Sequence, residues 1–291
     1  MSTIREAYLQ ASSFLQRADV RDAAIVTELL LCHLMDWSRT ELFLRWGEPF
    51  PADREEDWAG YVLRKASGEP VQYIIGEQEF YGLRFHVEQA VLIPRPETEL
   101  LVEEIVRTAG SLWREDTPLV VADIGTGSGA IAVTLAVQRP AWRLQAVDLS
   151  PAALEVAKGN AKRNGVVERV AFHEGDLLGP FLHGGDADGL DIVVSNPPYI
   201  ESEAIEGLEV QVRCYEPHLA LDGGPDGLAL YRRLTEQLTR LERTPRIVGF
   251  EVGQGQAPAV AELLTHTGLW AEVRLVKDLA GIERHVIAVR R

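Results

Sequence analysis

The tetrapeptide Asn196-Pro197-Pro198-Tyr199 carries the residue types best suited to chemistry in this chain. It directly follows the apolar run 190–195, so we expect it where a buried strand ends and turns. Proline lacks a backbone N–H and fixes φ near about −65°, which leaves the neighbouring carbonyl groups rigid and outside a strand ladder. The side-chain oxygen of Asn196 beside such a carbonyl suits an NH2 group held by both hydrogens. Tyr199 offers a flat face for a planar group, although four residues also fit an ordinary proline-rich turn.

A glycine-rich segment upstream has the pattern strand, loop and helix. Residues 120–124 form a short apolar run, and residues 130–136 are typical of a helix. Glycine permits positive φ and lets a ligand approach the backbone, while a helix start presents unpaired N–H groups. The Gly-x-Gly-x-Gly spacing differs from the dinucleotide fingerprint and from the P-loop, so pyrophosphate binding is disfavoured. The loop between the two elements consists of Gly125, Thr126, Gly127, Ser128 and Gly129.

Three aspartates lie at or near the ends of successive predicted strands. Asp123 belongs to the strand before the glycine loop, Asp148 ends the strand 144–147, and Asp176 follows the strand 170–174. In doubly wound nucleotide-binding folds a carboxylate about 20 residues after the loop binds a ribose diol, which is the position of Asp148. Each acid alone also fits a solvated charge or a helix cap. Together they predict a ligand site at the carboxyl edge of an open sheet.

The coarse pattern predicts helices first and an α/β sheet afterwards. A buried stripe at Ile25, Leu29 and Cys32 is expected in one of the early helices, and alternating residues in 79–87 and 90–93 suggest a hairpin. Alternating strands and helices then continue to the end of the chain, which indicates a mainly parallel sheet covered on both faces. The helices are expected near residues 4–16, 21–35, 38–44 and 54–66, and the last strands at 246–251, 271–276 and 285–289.

Composition narrows the possible partners. The chain of 291 residues has 29 basic and 44 acidic side chains, for a net charge of −15, which opposes attraction to a phosphate backbone. We therefore expect no stable nucleic-acid partner. Cys32 and Cys214 are the two cysteines and provide no disulfide framework or zinc spacing, so no metal is expected. The sequence shows no secretory leader and no apolar run of about 18 residues, so we expect a cytoplasmic protein without membrane contact.

The order of these motifs resembles a known family. DIGTGSGAIA, VDLS, GDLL and SNPPY follow one another as in class I S-adenosylmethionine-dependent methyltransferases, and NPPY resembles the members that methylate a planar nitrogen. Segments 70–76, 79–85 and 93–99 resemble the linker of the protein-(glutamine-N5) methyltransferases of the HemK or PrmC type. Further segments similar to that family are 21–23, 28–31, 215–217, 220–224, 251–253 and Gln256.

The resemblance implies an α/β architecture with a Rossmann-like, seven-stranded class I methyltransferase domain whose last strand is antiparallel. Residues 1–75 would form a small helical bundle that recognises a release factor. Residues 76–95 would form a connecting β-hairpin, and residues 96–291 the S-adenosylmethionine-dependent domain.

The implied activity is methyl transfer from S-adenosylmethionine to the side-chain amide N5 of a glutamine, with S-adenosylhomocysteine as product. The expected substrates and partners are class 1 peptide chain release factors, which act in translation termination. They would be methylated on the glutamine of their GGQ motif. Two alternatives remain open at this point. One is methylation of a ribosomal-protein glutamine, and the other is N6-adenine methylation of nucleic acid.

The resemblance also implies residue roles. Asn196, Pro197 and Tyr199 would be catalytic, and Pro198 would join them in binding substrate. Leu177 stands where several relatives have an aromatic residue, so aliphatic packing would replace stacking on adenine. Four further residues would either contact a ligand or belong to a structural tether, namely Arg95, Glu97, Thr98 and Glu251. The cofactor-binding set would be Asp123, Gly125, Thr126, Gly127, Ser128, Gly129, Asp148, Asp176, Leu177 and Asn196.

Overall fold

A computed structural model describes residues 2–182 and 189–290 of the chain. The chain divides into two compact units. The first comprises Met1–Glu77 together with Glu209–Tyr215, and the second comprises Gln78–Leu208 and Glu216–Arg291.

The first unit is a helical bundle. Two of its helices begin with reciprocal capping boxes, in which Thr3 pairs with Glu6 and Ser38 pairs with Glu41. Each box satisfies backbone N–H groups that a helix start leaves unpaired. The segment 209–215 also belongs to this unit, which the sequence pattern did not predict. The helices are α1 (Ile4–Arg17), α2 (Ala23–Met35), α3 (Arg39–Leu44), α4 (Glu55–Ala66), α5 (Val71–Ile75) and α9 (Val210–Arg213).

The predicted buried stripe on α2 was wrong. Ile25 is 55% exposed and Leu29 is 45% exposed, while Cys32 is only half-buried. Because α2 is apolar on almost every side, helical spacing alone could not identify the face that packs against its neighbours. The side chains that α2 buries are Ala23, Val26, Thr27, Leu30, Leu31 and Leu34.

The β-hairpin lies earlier and is shorter than the two predicted runs. Strands β1 (Glu77–Phe80) and β2 (Leu83–His86) pair as a two-stranded sheet. Their turn is Tyr81-Gly82, with φ of 52° and 72°, the geometry that two-residue hairpins prefer. The run 90–93 is not a strand. The alternation of apolar and polar residues there arises because this loop buries the side chains of Val91 and Ile93.

The second unit is built on a seven-stranded sheet, as the family resemblance implied. The strand order is β5-β4-β3-β6-β7-β9-β8. Neighbouring strands from β5 to β7 pair in parallel, and β9 is antiparallel to both β7 and β8. The strands are β3 (Val120–Ile124), β4 (Arg143–Asp148), β5 (Val170–Glu174), β6 (Ile192–Ser195), β7 (Ile247–Glu251), β8 (Glu272–Lys277) and β9 (Glu283–Val289).

Helices cover both faces of this sheet. One apolar core contains residues of α6 (Pro96–Leu112), α7 (Ala130–Gln138) and α8 (Pro151–Arg163). The other contains residues of α10 (Ala229–Arg240) and α11 (Ala257–His266). Short 3-10 helices occur at Ala52–Arg54, Val167–Arg169, Gly179–Phe181, Ser202–Gly207 and His218–Ala220.

The sheet reverses its winding direction beside β3. This strand has β4 on one side and β6 on the other, although β6 follows much later in the chain. Open α/β sheets form a ligand crevice at such a point, outside the carboxyl ends of the strands. The glycine loop after β3 and the tetrapeptide after β6 therefore border one crevice.

Close packing of α6 against β7 depends on Gly249. A Cβ atom at this position would lie 2.6 Å from Ile105 Cδ1 and 3.2 Å from Leu101 Cδ1. A Cβ would therefore displace the ends of the Ile105, Leu101 and Ile287 side chains, all of which are fully buried. The same approach brings Thr98, in the first turn of α6, beside Glu251 at the end of β7.

Gly249→Ala should therefore lower the free energy of unfolding by about 1–3 kcal/mol, since overpacking a dense core forces side chains from their rotamers. Chemical denaturation of the purified variant measures this change. Gly159→Ala is the matched control, because Gly159 lies in α8 with no atom within 4 Å of the added Cβ. A Gly249 variant as stable as the Gly159 variant would contradict the packing argument.

Candidate active site

The glycine loop turns the chain from β3 into α7. Gly125, Gly127 and Gly129 have φ of 72°, 54° and 81°, which side chains with a Cβ rarely adopt. At Gly129 a Cβ would also lie 3.1 Å from the Ala157 Cβ atom, so α7 starts in close contact with α8. The sequence pattern of strand, loop and helix thus corresponds to a tight turn.

Asp123 is fully buried beneath this loop. Its Oδ2 atom accepts hydrogen bonds from the Thr126 hydroxyl at 2.7 Å and from the Ala132 N–H at 3.0 Å. Its Oδ1 atom is buried and has no hydrogen-bond partner among the described residues. Burial raises the pKa of Asp123 to about 7, although the two hydrogen bonds oppose the rise. The carboxyl group therefore fixes the loop and keeps one oxygen unpaired.

Asp148 joins the loop to the end of β4. Its Oδ2 atom accepts from the Gly127 N–H at 2.9 Å, and its Oδ1 atom accepts from the Ser150 N–H at 2.9 Å. Burial raises the pKa of Asp148, and these backbone hydrogen bonds oppose the rise. A carboxylate has about four acceptor positions, so each oxygen can still accept one more hydrogen bond.

The aspartate after β5 differs from Asp123 and Asp148 in its exposure to solvent. Asp176 is exposed and forms an ion pair with Arg233. Leu177 has a φ of 53°, which is costly for a residue with a branched side chain, and it packs against the core under α10 and α11. Gly175 is required here because a Cβ would lie 2.4 Å from Pro180 Cγ.

The tetrapeptide after β6 is held at several points. The Ser195 hydroxyl donates to the Ile124 carbonyl at 2.6 Å, which ties β6 to the end of β3. Gln256 donates its amide N–H to the Tyr199 carbonyl at 2.9 Å, and its amide oxygen accepts from Gly253 N–H at 3.0 Å.

The chain beyond the tetrapeptide is held by a second strand-like segment. Ile200 donates its N–H to the Leu221 carbonyl at 3.0 Å, and Gly223 donates to the Ile200 carbonyl at 2.8 Å. A Cβ on Gly223 would lie 2.7 Å from Tyr199 Cα. The segment 220–224, which the sequence singled out, thus serves as a support for the tetrapeptide.

Asn196 belongs to a buried polar chain. Its Nδ2 atom donates to the Thr98 hydroxyl oxygen at 3.2 Å, and the Thr98 hydroxyl donates to Glu251 Oε2 at 2.7 Å. Glu251 is 2% exposed, and burial raises its pKa to about 7. Within the described residues, no hydrogen bond reaches Asn196 Oδ1 or the Pro197 carbonyl oxygen. Two acceptor atoms are therefore unclaimed at the end of β6.

Tyr199 is half-buried against the core of α10 and α11. Burial raises the pKa of Tyr199 to about 12, and the Glu251 carboxylate adds to the rise. The phenol is therefore neutral at ordinary pH and cannot serve as a base.

Residues 2–182 and 189–290 contain neither a membrane-spanning helix nor a metal-binding cluster. None of the helices found there is both long and apolar enough to cross a bilayer. No cluster of three or more histidine, cysteine or acidic side chains in that part could hold a metal ion.

Comparisons with known proteins agree with the geometry of both units. A family model of the PrmC N-terminal domain matches residues 6–76, and one of the methyltransferase small domain matches residues 97–213. A release factor glutamine methyltransferase of Bacillus anthracis is 43% identical over 289 residues, covering 98% of each chain. One of Bacillus subtilis is 42% identical over 289 residues, covering 99% of this chain and 98% of its own. This chain belongs to the release factor glutamine methyltransferase family.

Solved structures share the fold of this family member at low sequence identity. The catalytic domain of human Mettl16 in complex with a MAT2A 3′UTR hairpin aligns with a TM-score of 0.58 and 16% identity, covering 80% of this chain and 82% of that one. Human methyltransferase 10 domain containing protein aligns with a TM-score of 0.54 and 18% identity, covering 72% and 90%. The predicted class I methyltransferase fold and the predicted family are confirmed.

The residues left open as ligand contacts or tether separate into two groups. Arg95 forms an ion pair of 2.5 Å with Glu216, and the Glu97 carbonyl accepts a hydrogen bond of 3.1 Å from the His285 ring. Both contacts secure the start of α6. Thr98 and Glu251 instead join Asn196 in the polar chain.

Neither that polar chain nor the supporting role of Gln256 was predicted from the sequence. The available signals were weak. Glu251 ends an otherwise apolar strand, and Thr98 follows the Pro-Arg-Pro-Glu start of α6. Nothing in the spacing shows that residues so far apart in sequence share hydrogen bonds.

The raised pKa of Asp123 predicts a pH effect on stability. The folded state keeps this proton up to about pH 7, whereas the unfolded chain loses it near the ordinary aspartate pKa of 3.8. Stability should therefore fall as pH rises through that window, by at most about 3 kcal/mol between pH 5 and 7.

Denaturant unfolding of the unliganded protein at pH 5, 6, 7 and 8 tests this expectation. Asp123→Asn keeps an acceptor for Thr126 and cannot ionise, so its stability should fall less steeply across this range. Asp57→Asn is the control, since Asp57 is exposed in α4. Equal slopes for wild type and Asp123→Asn would contradict the assignment.

Proposed function

We propose that this enzyme transfers the methyl group of S-adenosylmethionine to the side-chain amide nitrogen of the GGQ glutamine in class 1 peptide chain release factors. The product of the cofactor would be S-adenosylhomocysteine. Identity of 43% over 98% of both chains to a protein named release factor glutamine methyltransferase supports the substrate. The two unclaimed acceptors at Asn196 and Pro197 support the chemistry.

The residues of the sheet edge fit the proposed cofactor. Asp148 retains an acceptor position on each oxygen, as a contact with two ribose hydroxyls requires. The unpaired buried oxygen of Asp123 suits a donor group, and Leu177 supplies an aliphatic surface beside the exposed Asp176. When bound, the cofactor supplies a methyl group on a sulfonium sulfur, which is the electrophile. The remaining proposed contacts come from Gly125, Thr126, Gly127, Ser128, Gly129 and Asn196.

The proposed role of the tetrapeptide follows from the chemistry of a carboxamide. Its nitrogen is a poor nucleophile because the lone pair is delocalised into the carbonyl group. If Asn196 Oδ1 and the Pro197 carbonyl oxygen each accept one N–H, the lone pair is aimed and the developing positive charge meets two preorganised dipoles. Pro198 and Tyr199 would confine the plane of the carboxamide.

No base is needed to start this reaction. A carbon–nitrogen bond forms as the carbon–sulfur bond breaks, and the methylated nitrogen then releases one proton to water. The dominant contribution is alignment, which can supply about 7–11 kcal/mol, whereas a general base typically adds 10²–10⁴-fold. The neutral phenol of Tyr199 agrees with a role in binding.

The division of labour along the chain is also part of the proposal. Residues 1–75 would recognise the release factor, residues 76–95 would connect the parts, and residues 96–291 would carry out the transfer. Because release factors act in translation, the enzyme would work in the cytoplasm.

Substrate identity is tested by incubating the protein with methyl-labelled S-adenosylmethionine and one acceptor at a time. The acceptors are a class 1 release factor, a ribosomal-protein mixture and duplex DNA. Label should appear on the GGQ glutamine, and a Gln→Asn release factor is the matched control. Label confined to ribosomal protein or to DNA would overturn the proposed substrate.

The site assignment predicts that one variant loses catalytic rate and another loses cofactor affinity. Asn196→Ala should lower kcat by about 10²–10³, as loss of one preorganised dipole does, with little change in cofactor affinity. Asp148→Ala should weaken cofactor binding by about 1.5–3 kcal/mol, the value of a hydrogen bond to a charged group.

Calorimetric titration with S-adenosylhomocysteine and steady-state kinetics separate the two effects. Each variant is the control for the other. Equal losses of affinity and kcat in both variants would contradict the assigned roles.

A further inference from the structure

The two residues behind Asn196 in the polar chain are both buried. Thr98 is 4% exposed and Glu251 is 2% exposed. The Thr98 hydroxyl donates to Glu251 Oε2 at 2.7 Å, and Asn196 Nδ2 donates to Thr98 Oγ1 at 3.2 Å. Water therefore cannot readily substitute for either residue.

The direction of these hydrogen bonds is fixed by Glu251. An ionised carboxylate can only accept, and a hydroxyl has a single proton. Once Thr98 has donated that proton to Glu251, its oxygen can only accept from Asn196. The Asn196 group that can donate is its NH2, so the Asn196 carbonyl oxygen must be the atom left for another partner.

We propose that Glu251 and Thr98 are positioning residues that determine which end of the Asn196 carboxamide faces the substrate glutamine. This inference rests on the proposed function. With Glu251 ionised, Asn196 presents an oxygen to the NH2 group of the glutamine. With Glu251 protonated, the acid donates to Thr98, the Thr98 proton turns to Asn196 Oδ1, and the NH2 of Asn196 then faces the NH2 of the glutamine. Two donors cannot pair, so this state is unproductive.

The surroundings of Glu251 place its titration in an accessible range. Burial is the largest cause of its raised pKa of about 7, with the Glu97 carboxylate adding to the rise. Hydrogen bonds from Thr98 and Asn196 and the Arg284 guanidinium oppose the rise. His285 pairs with Glu251 across the sheet, and burial lowers the pKa of its ring, so it is neutral near pH 7.

Two tyrosines complete the environment of Glu251. The Tyr231 hydroxyl donates to the Glu251 backbone carbonyl at 2.7 Å. The Glu251 carboxylate also raises the pKa of the nearby Tyr199 phenol. Burial raises the pKa of Tyr199 to about 12 and raises that of Tyr231 well above its ordinary value, so neither phenol titrates in the same range. Asp123 under the glycine loop also has a pKa of about 7, so the transition that belongs to Glu251 is the one that Glu251→Gln abolishes.

The first test measures kcat from pH 5 to 9 with saturating cofactor and release factor. In the wild type, kcat should rise about tenfold per pH unit below an apparent pKa of about 7 or lower, because a cationic cofactor favours ionised Glu251, and then level off. In Glu251→Gln the side-chain amide can donate or accept and cannot ionise, so this pH dependence should disappear. The plateau kcat of that variant should be at least tenfold lower than that of the wild type. Thr98→Val should behave in the same way. Thr98→Ser keeps the hydroxyl and should recover the pH dependence and most of the rate.

The double variant Glu251→Gln/Thr98→Val should be no slower than Thr98→Val alone, since both changes break one chain. Additive losses, or a Thr98→Ser variant as slow as Thr98→Val, would overturn the proposal. So would a Glu251→Gln variant with the wild-type pH profile. Calorimetric binding of S-adenosylhomocysteine verifies that each variant retains its fold and cofactor site.

A second readout needs no substrate. The side-chain NH2 resonances of Asn196 in 15N-labelled protein should titrate near pH 7 in the wild type and not in Glu251→Gln. The side chain of Asn164, which donates to the Arg84 and Asn160 carbonyls, is the internal control. Titration of Asn196 without glutamine methylation would refute the proposed function alone, whereas its absence would refute the positioning role.

Discussion

Two oxygen atoms at the end of β6, which have no hydrogen-bond partner within residues 2–182 and 189–290, impose the main constraint on this molecule. A side-chain oxygen and a proline carbonyl can serve as acceptors for an incoming NH2 group only if nothing inside the protein uses them. The second unit meets this condition by giving three polar groups of the same segment other partners. The Thr98 hydroxyl oxygen accepts from the Asn196 amide nitrogen, and the Ile124 carbonyl accepts from the Ser195 hydroxyl. Gln256 donates its amide N–H to the Tyr199 carbonyl.

The sheet order explains why these supports come from distant parts of the chain. Parallel strands β3, β6 and β7 end at one edge, so side chains at Asp123, Asn196 and Glu251 gather there. Helix α6 then contributes Thr98 because Gly249 lets it approach β7 closely. Burial leaves two carboxyl groups with pKa values of about 7 at this edge. A cationic cofactor would favour the ionised form of nearby acids.

The sequence was informative where local pattern and chemistry coincide. The glycine loop, the aspartate at the end of β4 and the proline-rich turn are each short segments whose residue types suit one backbone geometry, and alternating elements predicted the parallel sheet. The buried face of α2 could not be predicted, because a helix that is apolar on almost every side carries little directional signal. The partnership of Thr98 with Glu251 is a tertiary contact that periodicity cannot reveal. The hairpin was misplaced because buried loop residues also alternate.

The most direct test of the account is a crystal structure with S-adenosylhomocysteine and a peptide containing the GGQ sequence. The account predicts the glutamine side-chain nitrogen within about 2.7–3.2 Å of both Asn196 Oδ1 and the Pro197 carbonyl oxygen, facing the sulfur atom. A glutamine nitrogen bound elsewhere, or an Asn196 that presents its NH2 group to the substrate, would contradict it.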